Sequence, residues 1–216
     1  MKLGCAGCLM LIVGVIFLLV VGGAFVFLSG NIFEPPPFEP FEWSRGDAFG
    51  AQSKLYEIVQ RDAGQSSRQD SIILTEREVN ALAAQYLAQT GNLRLEPFAV
   101  RLRPGQFVLK GRTTLGSLLQ GPPFAQARPY LPQAPLARPI WITATGYIAI
   151  DQGAPGGNPG IGRVVVTEFS LGQQPVGTWP FSIVMGPAGA KLFRWPVPGT
   201  LRDVEIEDRR VAIRTR

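Results

Sequence analysis

From Leu9 to Leu28 the chain reads LMLIVGVIFLLVVGGAFVFL, twenty consecutive residues without a charge, a proline or a polar side chain. No other stretch restricts the fold as strongly. In water such a run must be covered on every side. As one helix rising about 1.5 Å per residue, it crosses a hydrocarbon core of roughly 30 Å. A cleaved leader is the competing reading, but leaders carry an apolar stretch of about 7–15 residues with small residues before the cut. The segment AFVFLSGN has no A-x-A pattern. Residues 1–30 are therefore expected to form a short stub and a retained transmembrane signal-anchor. Lys2 and the amino terminus flank one side, and Glu34, Glu39 and Glu42 the other. Acidic residues contribute little to orientation, so the two positive charges decide it. The expected protein is single-pass in the cell membrane, N-terminus cytoplasmic, body extracytoplasmic.

The two cysteines, Cys5 and Cys8, precede the apolar run. Their CxxC spacing lacks partner ligands for zinc, and small residues at a helix end is the simpler reading, although acylation there is compatible. The exported body must then be held by its core without disulfides. It begins with NIFEPPPFEPFEWS, residues 31–44, whose prolines favour an extended spacer and whose Phe33, Phe38, Phe41 and Trp43 suit the headgroup level.

Residues 45–216 are expected to form one α+β domain. A first helix begins near Ser44 and stops at Gly64, with Phe49, Leu55, Ile58 and Val59 as an apolar stripe and Gly46 and Gly50 weakening its first half. SIIL is a short strand. The sharpest signal follows: Thr75 and Glu78 have capping-box spacing, and Val79, Leu82, Ala83, Tyr86 and Leu87 share one helical face over Glu76–Thr90. Gly91 closes that helix. Asn80 lies off the stripe, which predicts a solvated or locally bonded side chain.

Strands follow. Phe98, Val100 and Leu102 alternate with Ala99, Arg101 and Arg103; after a Pro104-Gly105 turn, Phe107, Leu109 and Gly111 alternate with Val108, Lys110 and Arg112. This predicts a hairpin with one dry and one wet face. A proline-rich connection at 122–139 precedes strands at 140–150 and 162–172, which the glycine-rich loop DQGAPGGNPGIG joins. Leu171–Ala190 has no charged residue, and its prolines oppose a second span, so a core lining that includes Trp179 and Phe181 is expected. The chain ends in a hairpin pairing Val204 and Ile206 with Val211 and Ile213.

Histidine is absent. That removes Ser-His-Asp and Cys-His nucleophiles, ordinary zinc catalysis and the usual proton shuttle near neutral pH. Asp151, Glu168, Glu205 and Glu207 offer carboxylates without an inferable pairing, and Ser117 with Lys110 makes no supported dyad. The expectation is a non-catalytic protein without a cofactor. A net charge of +5 suits anionic lipid or envelope polyanions, and an exported body does not meet nucleic acid.

The phrase ILTEREVNALAAQYL, followed by period-two strands, resembles bacterial membrane-anchored envelope proteins of the YpmS kind and related TULIP-like lipid-binding domains, over Ile72 to Leu115. The proline-rich connection departs from that pattern. The resemblance implies a curved antiparallel sheet wrapped on one or two amphipathic helices, with an apolar channel between them. Alternation then nominates Leu82, Tyr86, Phe98, Phe107, Trp141, Tyr147, Phe169, Trp179 and Phe181 as lining, although the same residues would serve as plain core. The expected function is binding of a membrane lipid or other apolar ligand. The alternative is an interaction module that meets another envelope protein.

Overall fold

A computed structural model describes residues 30–90, 95–118, 133–151, 160–178 and 194–215, together with Ile16 and Gly23. Apart from those two, the Leu9–Leu28 run lies outside the described residues. So do Gly91, most of the 122–139 connection, the glycine-rich loop, Trp179 and Phe181. Among the described residues no helix is long and apolar enough to cross a membrane.

The class is α+β, as expected. After one 3-10 turn at Gly30–Ile32, helix α1 (Arg45–Asp62) leads to strand β1 (Ile72–Thr75) and helix α2 (Glu76–Thr90). The hairpin β2 (Phe98–Arg103) and β3 (Gln106–Thr114) follows, then two single helical turns, α3 (Leu115–Leu118) and α4 (Gln133–Leu136). Strands β4 (Pro139–Asp151), β5 (Gly160–Leu171), β6 (Gln174–Pro175), β7 (Arg194–Val197), β8 (Leu201–Glu207) and β9 (Arg210–Thr215) complete the chain. The order β2-β3-β4-β5-β6, with β7 also on β5, makes one antiparallel sheet, and β1-β9-β8 makes a second. The single curved sheet expected from the resemblance is replaced by two uncurled ones. The reason lies in β1. It precedes α2 and pairs with the last strand, Ile72 opposite Ile213, instead of extending the first hairpin.

Both predicted hairpin registers are found. Arg103 pairs with Gln106 across the Pro104-Gly105 turn, and Val204 and Ile206 face Ile213 and Val211. Two cores result. One joins Ala51 and Ile58 to β1, β2, β8 and β9; the other joins Ile32, Leu95 and Leu118 to Ile140, Ile142, Ala144 and Phe169.

Helix α1 forms through its weak first half because Ser44 caps it. The Asp47 amide donates to Ser44 Oγ at 3.2 Å, and the Ser44 amide donates to Asp47 Oδ2 at 2.7 Å. The Ser44 amide, with the Ser44 hydroxyl donating to the same Oδ2 at 2.8 Å, holds the Asp47 carboxyl below its usual range. Gly50 has a packing reason as well: a Cβ there would sit 3.0 Å from Glu78 Oε1. The helix buries Ala51, Ile58 and Arg61, so of the predicted stripe only Ile58 is inside. Phe49 (72%), Tyr56 (61%) and Val59 (58%) stay exposed. Hydrophobic periodicity missed Arg61, which is buried because Glu57, Asp70 and Thr215 satisfy its guanidinium.

The Thr75–Glu78 capping box is present: the Thr75 amide donates to Glu78 Oε2 at 2.7 Å, and the Glu78 amide donates to Thr75 Oγ1 at 3.3 Å. Lys54 from α1 adds two bonds to the same carboxylate, at 2.7 and 2.8 Å. Burial opposes ionisation of Glu78, but the Lys54 and Thr75 contacts outweigh it and lower its pKa. A lowered folded-state pKa stabilises above the unfolded value and is lost as pH falls through the folded one. Lys54→Met should therefore weaken the domain by about 1–3 kcal/mol at pH 7. The deficit relative to wild type should shrink as the pH falls below the unfolded-state glutamate value of about 4.3 toward the lowered folded-state one. Urea unfolding of both proteins at pH 7 and pH 3.5 measures the difference.

Asn80 departs from expectation. It is 1% exposed. Its Nδ2 donates to the Val100 carbonyl and its Oδ1 accepts from the Val100 amide, at 2.8 and 2.7 Å. One helical turn earlier, Glu76 accepts from the Leu102 amide at 2.7 Å. Strand β2 is an edge of the six-stranded sheet, so these backbone groups have no neighbouring strand. Four helical residues span about 6 Å and two strand residues about 6.8 Å, so positions 76 and 80 match 102 and 100 in antiparallel sense. Helix α2 thus closes the sheet edge with side chains. This accounts for a single sharply capped helix among strands.

Candidate functional site

The proline-rich segment, expected as a spacer, lies along the sheet as a strap. Ile32 is 1% exposed in the second core. The Gln173 amide donates to the Asn31 carbonyl at 3.0 Å, and Gln173 Nε2 to the Pro35 carbonyl at 3.3 Å. Phe38 packs on Trp141, ring centres 4.6 Å apart. Lys110 donates to the Pro37 carbonyl at 2.8 Å, and Arg101 reaches Glu39 at 3.0 Å and the Phe41 ring at 4.8 Å. Prolines suit such a strap because they bring no N–H to orphan against another surface. The hairpin face expected to be wet is consequently covered at Ala99, 3% exposed.

Between the strap, β2–β3 and the β8–β9 turn lies a cleft of about 410 Å³. Its lining combines Pro37, Phe38, Ala99, Leu102 and Val108 with Arg101, Arg103, Lys110 and Arg209, and with the carboxylates Glu39, Glu76 and Asp208. Arg101 is paired to Glu76 at 3.1 Å as well as to Glu39. Arg209 has a left-handed backbone, φ 60°, fixed by its carbonyl accepting from the Glu76 amide at 2.9 Å and its amide donating to the Leu102 carbonyl at 3.3 Å. Ala99, Leu102 and Glu76 are the buried part of the cleft, and its exposed part sets Arg103 and Arg209 beside Glu39 and Asp208, so the lining is mixed apolar and charged with one positive charge in surplus.

No protein-family model matches the chain, and no curated protein is similar to it.

The residues nominated by alternation do not meet in one cavity. Leu82 and Phe107 pack on the first core. Phe98 packs on the second, where Phe169 is 2% exposed. Trp141 points to the other side of β4 from Ile140 and Ile142, against Phe38. Tyr86 and Tyr147 are exposed. Trp179 and Phe181 lie outside the described residues. Alternation separates inside from outside along one strand, but it does not reveal that there are two insides. The cleft cations were visible as the alternating partners Arg101, Arg103 and Lys110. Their convergence with Arg209 depends on β9 closing onto β1, which periodicity does not encode.

Proposed function

We propose that this chain is a membrane-anchored, extracytoplasmic, non-catalytic protein that binds a membrane lipid in the strap-walled cleft. The observation that carries this reading is the cleft itself, part apolar, with one positive charge in surplus, and walled by the segment that follows the apolar run. Only Ser29 and Gly30 separate Leu28 from Asn31, whose carbonyl is bonded to the body. At about 3.4 Å per residue that leaves roughly 10 Å of slack, so an anchored Leu9–Leu28 helix seats the domain against the headgroups. The likeness of Ile72–Leu115 to YpmS-kind proteins supports lipid as the ligand class. The space that supports it is the cleft, in place of the channel between sheet and helix that the resemblance implies.

A second reading, an envelope interaction module, is favoured by the exposed Phe49, Tyr56 and Val59 on α1 and Tyr86 on α2. Lipid extraction and native mass spectrometry of the full-length chain separate the two. The proposal expects co-purified lipid that survives detergent exchange and is lost on Phe38→Ser. A lipid-free chain that captures one envelope protein, and releases it on Phe49→Ser with Tyr56→Ser, contradicts it.

A further inference from the structure

We infer that the cleft is an anion site for a phosphate diester, the linkage of a phospholipid headgroup, held by Arg103, Lys110 and Arg209. This rests on the cleft being the ligand site and names the part of the ligand it holds. The lining carries four cations against three carboxylates, a surplus of one positive charge. A diester, with its single negative charge, balances it. A free phosphate, with up to two, does not.

The pairing inside the cleft shows which cations are available. Arg101 is engaged by two carboxylates. Among the described residues Arg103, Lys110 and Arg209 form no ion pair, and Lys110 gives one of its three N–H groups to the Pro37 carbonyl. Asp208 also stands unpaired among the described residues, at the β8–β9 turn. It biases the anion toward the β2–β3 side of the cleft, where Arg103 and Lys110 are.

Arg209 supplies an independent observation. A turn position with φ near +60° is the place for Gly or Asn, and another side chain there costs about 1–2 kcal/mol. Its backbone is fixed from both sides by Glu76 and Leu102, so the strain is held in place. Strain of this kind, at the mouth of a cleft, points to use of the side chain. Burial does not explain Arg209, because it is exposed. The apolar lining at Phe38 and Val108 then receives the glycerol carbons beyond the phosphate.

The test is isothermal titration of the full-length chain, first stripped of co-purified lipid, in maltoside micelles with three probes: glycerophosphoglycerol (a water-soluble diester headgroup), inorganic phosphate, and dihexanoylglycerol, which lacks phosphate. Glycerophosphoglycerol should bind more tightly than inorganic phosphate, and its affinity should fall as salt is raised from about 50 to about 300 mM. Arg209→Gly and Lys110→Gln should each weaken it about tenfold, the range for a bond between charged groups. Arg112→Gln, on the same strand but outside the cleft lining, should leave it unchanged. Arg209→Gly should keep or raise the melting temperature while it loses affinity, a combination that a merely structural arginine does not give. Tighter binding of inorganic phosphate would overturn the diester assignment. Dihexanoylglycerol binding that ignores all three substitutions, with no binding of glycerophosphoglycerol, would overturn the anion site and leave lipid binding standing. Failure of every probe, in a chain that also purifies without lipid, would overturn both.

Discussion

Asn80→Leu is expected to destabilise the domain by roughly 3–5 kcal/mol, although leucine is the better helix former and the more apolar residue. The substitution removes three hydrogen bonds, to the Val100 amide, the Val100 carbonyl and the Glu76 carbonyl. Loss of the side-chain partner is the smaller effect. The larger one is a strand amide and carbonyl left buried with neither strand nor water to receive them, about 1–3 kcal/mol each. Asn80→Asp should recover little, because the carboxylate accepts from the Val100 amide but faces the Val100 carbonyl with no proton to give. Urea unfolding of the detergent-solubilised chain, followed by circular dichroism, measures this. A change below about 0.5 kcal/mol, within the range of ordinary surface substitutions, would mean that α2 does not close the sheet edge.

Gly172→Ala should be the most damaging change to the strap. Gly172 has φ +58°, and an added Cβ would lie 2.3 Å from the Ile32 carbonyl oxygen and 2.5 Å from that of Asn31. Those neighbours are backbone atoms and cannot rotate aside. The left-handed conformation alone costs an alanine about 1–2 kcal/mol, and the clash can be relieved only by lifting the strap out. A total of about 2–4 kcal/mol is expected, limited by what docking of the strap contributes. Residues 31–41 should become open to proteolysis while the α1–α2 pair and both sheets persist, and co-purified lipid should be lost with the cleft wall. Retention of a protease-resistant strap would refute the seating of Ile32.

Much of the fold was legible in local signals. The Thr75–Glu78 box, the Pro104-Gly105 turn and the Val204/Ile213 register each depend on residues close in sequence, where spacing and turn chemistry decide the outcome. What failed to show depends on polar atoms finding partners at long range. Asn80 read as a solvated or locally bonded residue and Arg61 drew no reading, because periodicity scores apolar faces, yet each is buried by bonds to a distant element. The strap was misread because a proline-rich segment looks the same in sequence whether it spans solvent or lies on a sheet; Phe38 on Trp141 and Ile32 in the core are what distinguish the cases. Leu82 and Phe107 went to one core and Phe98 and Phe169 to the other for a related reason: no count of alternation says which sheet will turn which way.

Ile32, four residues past the apolar run, is seated in the body of the domain. Thiol labelling tests that seating, since the body has no native cysteine and Cys5 and Cys8 can be replaced by serine. In the full-length chain reconstituted in bilayers, Ile32→Cys should react with a maleimide about 100-fold more slowly than Glu34→Cys, two residues along and exposed, as expected for a group freed only by opening that costs about 3 kcal/mol. Adding Gly172→Ala should bring the two rates together, which shielding by lipid would not do. Equal rates for the two single-cysteine variants, with Gly172 intact, would show a free stalk and contradict the account.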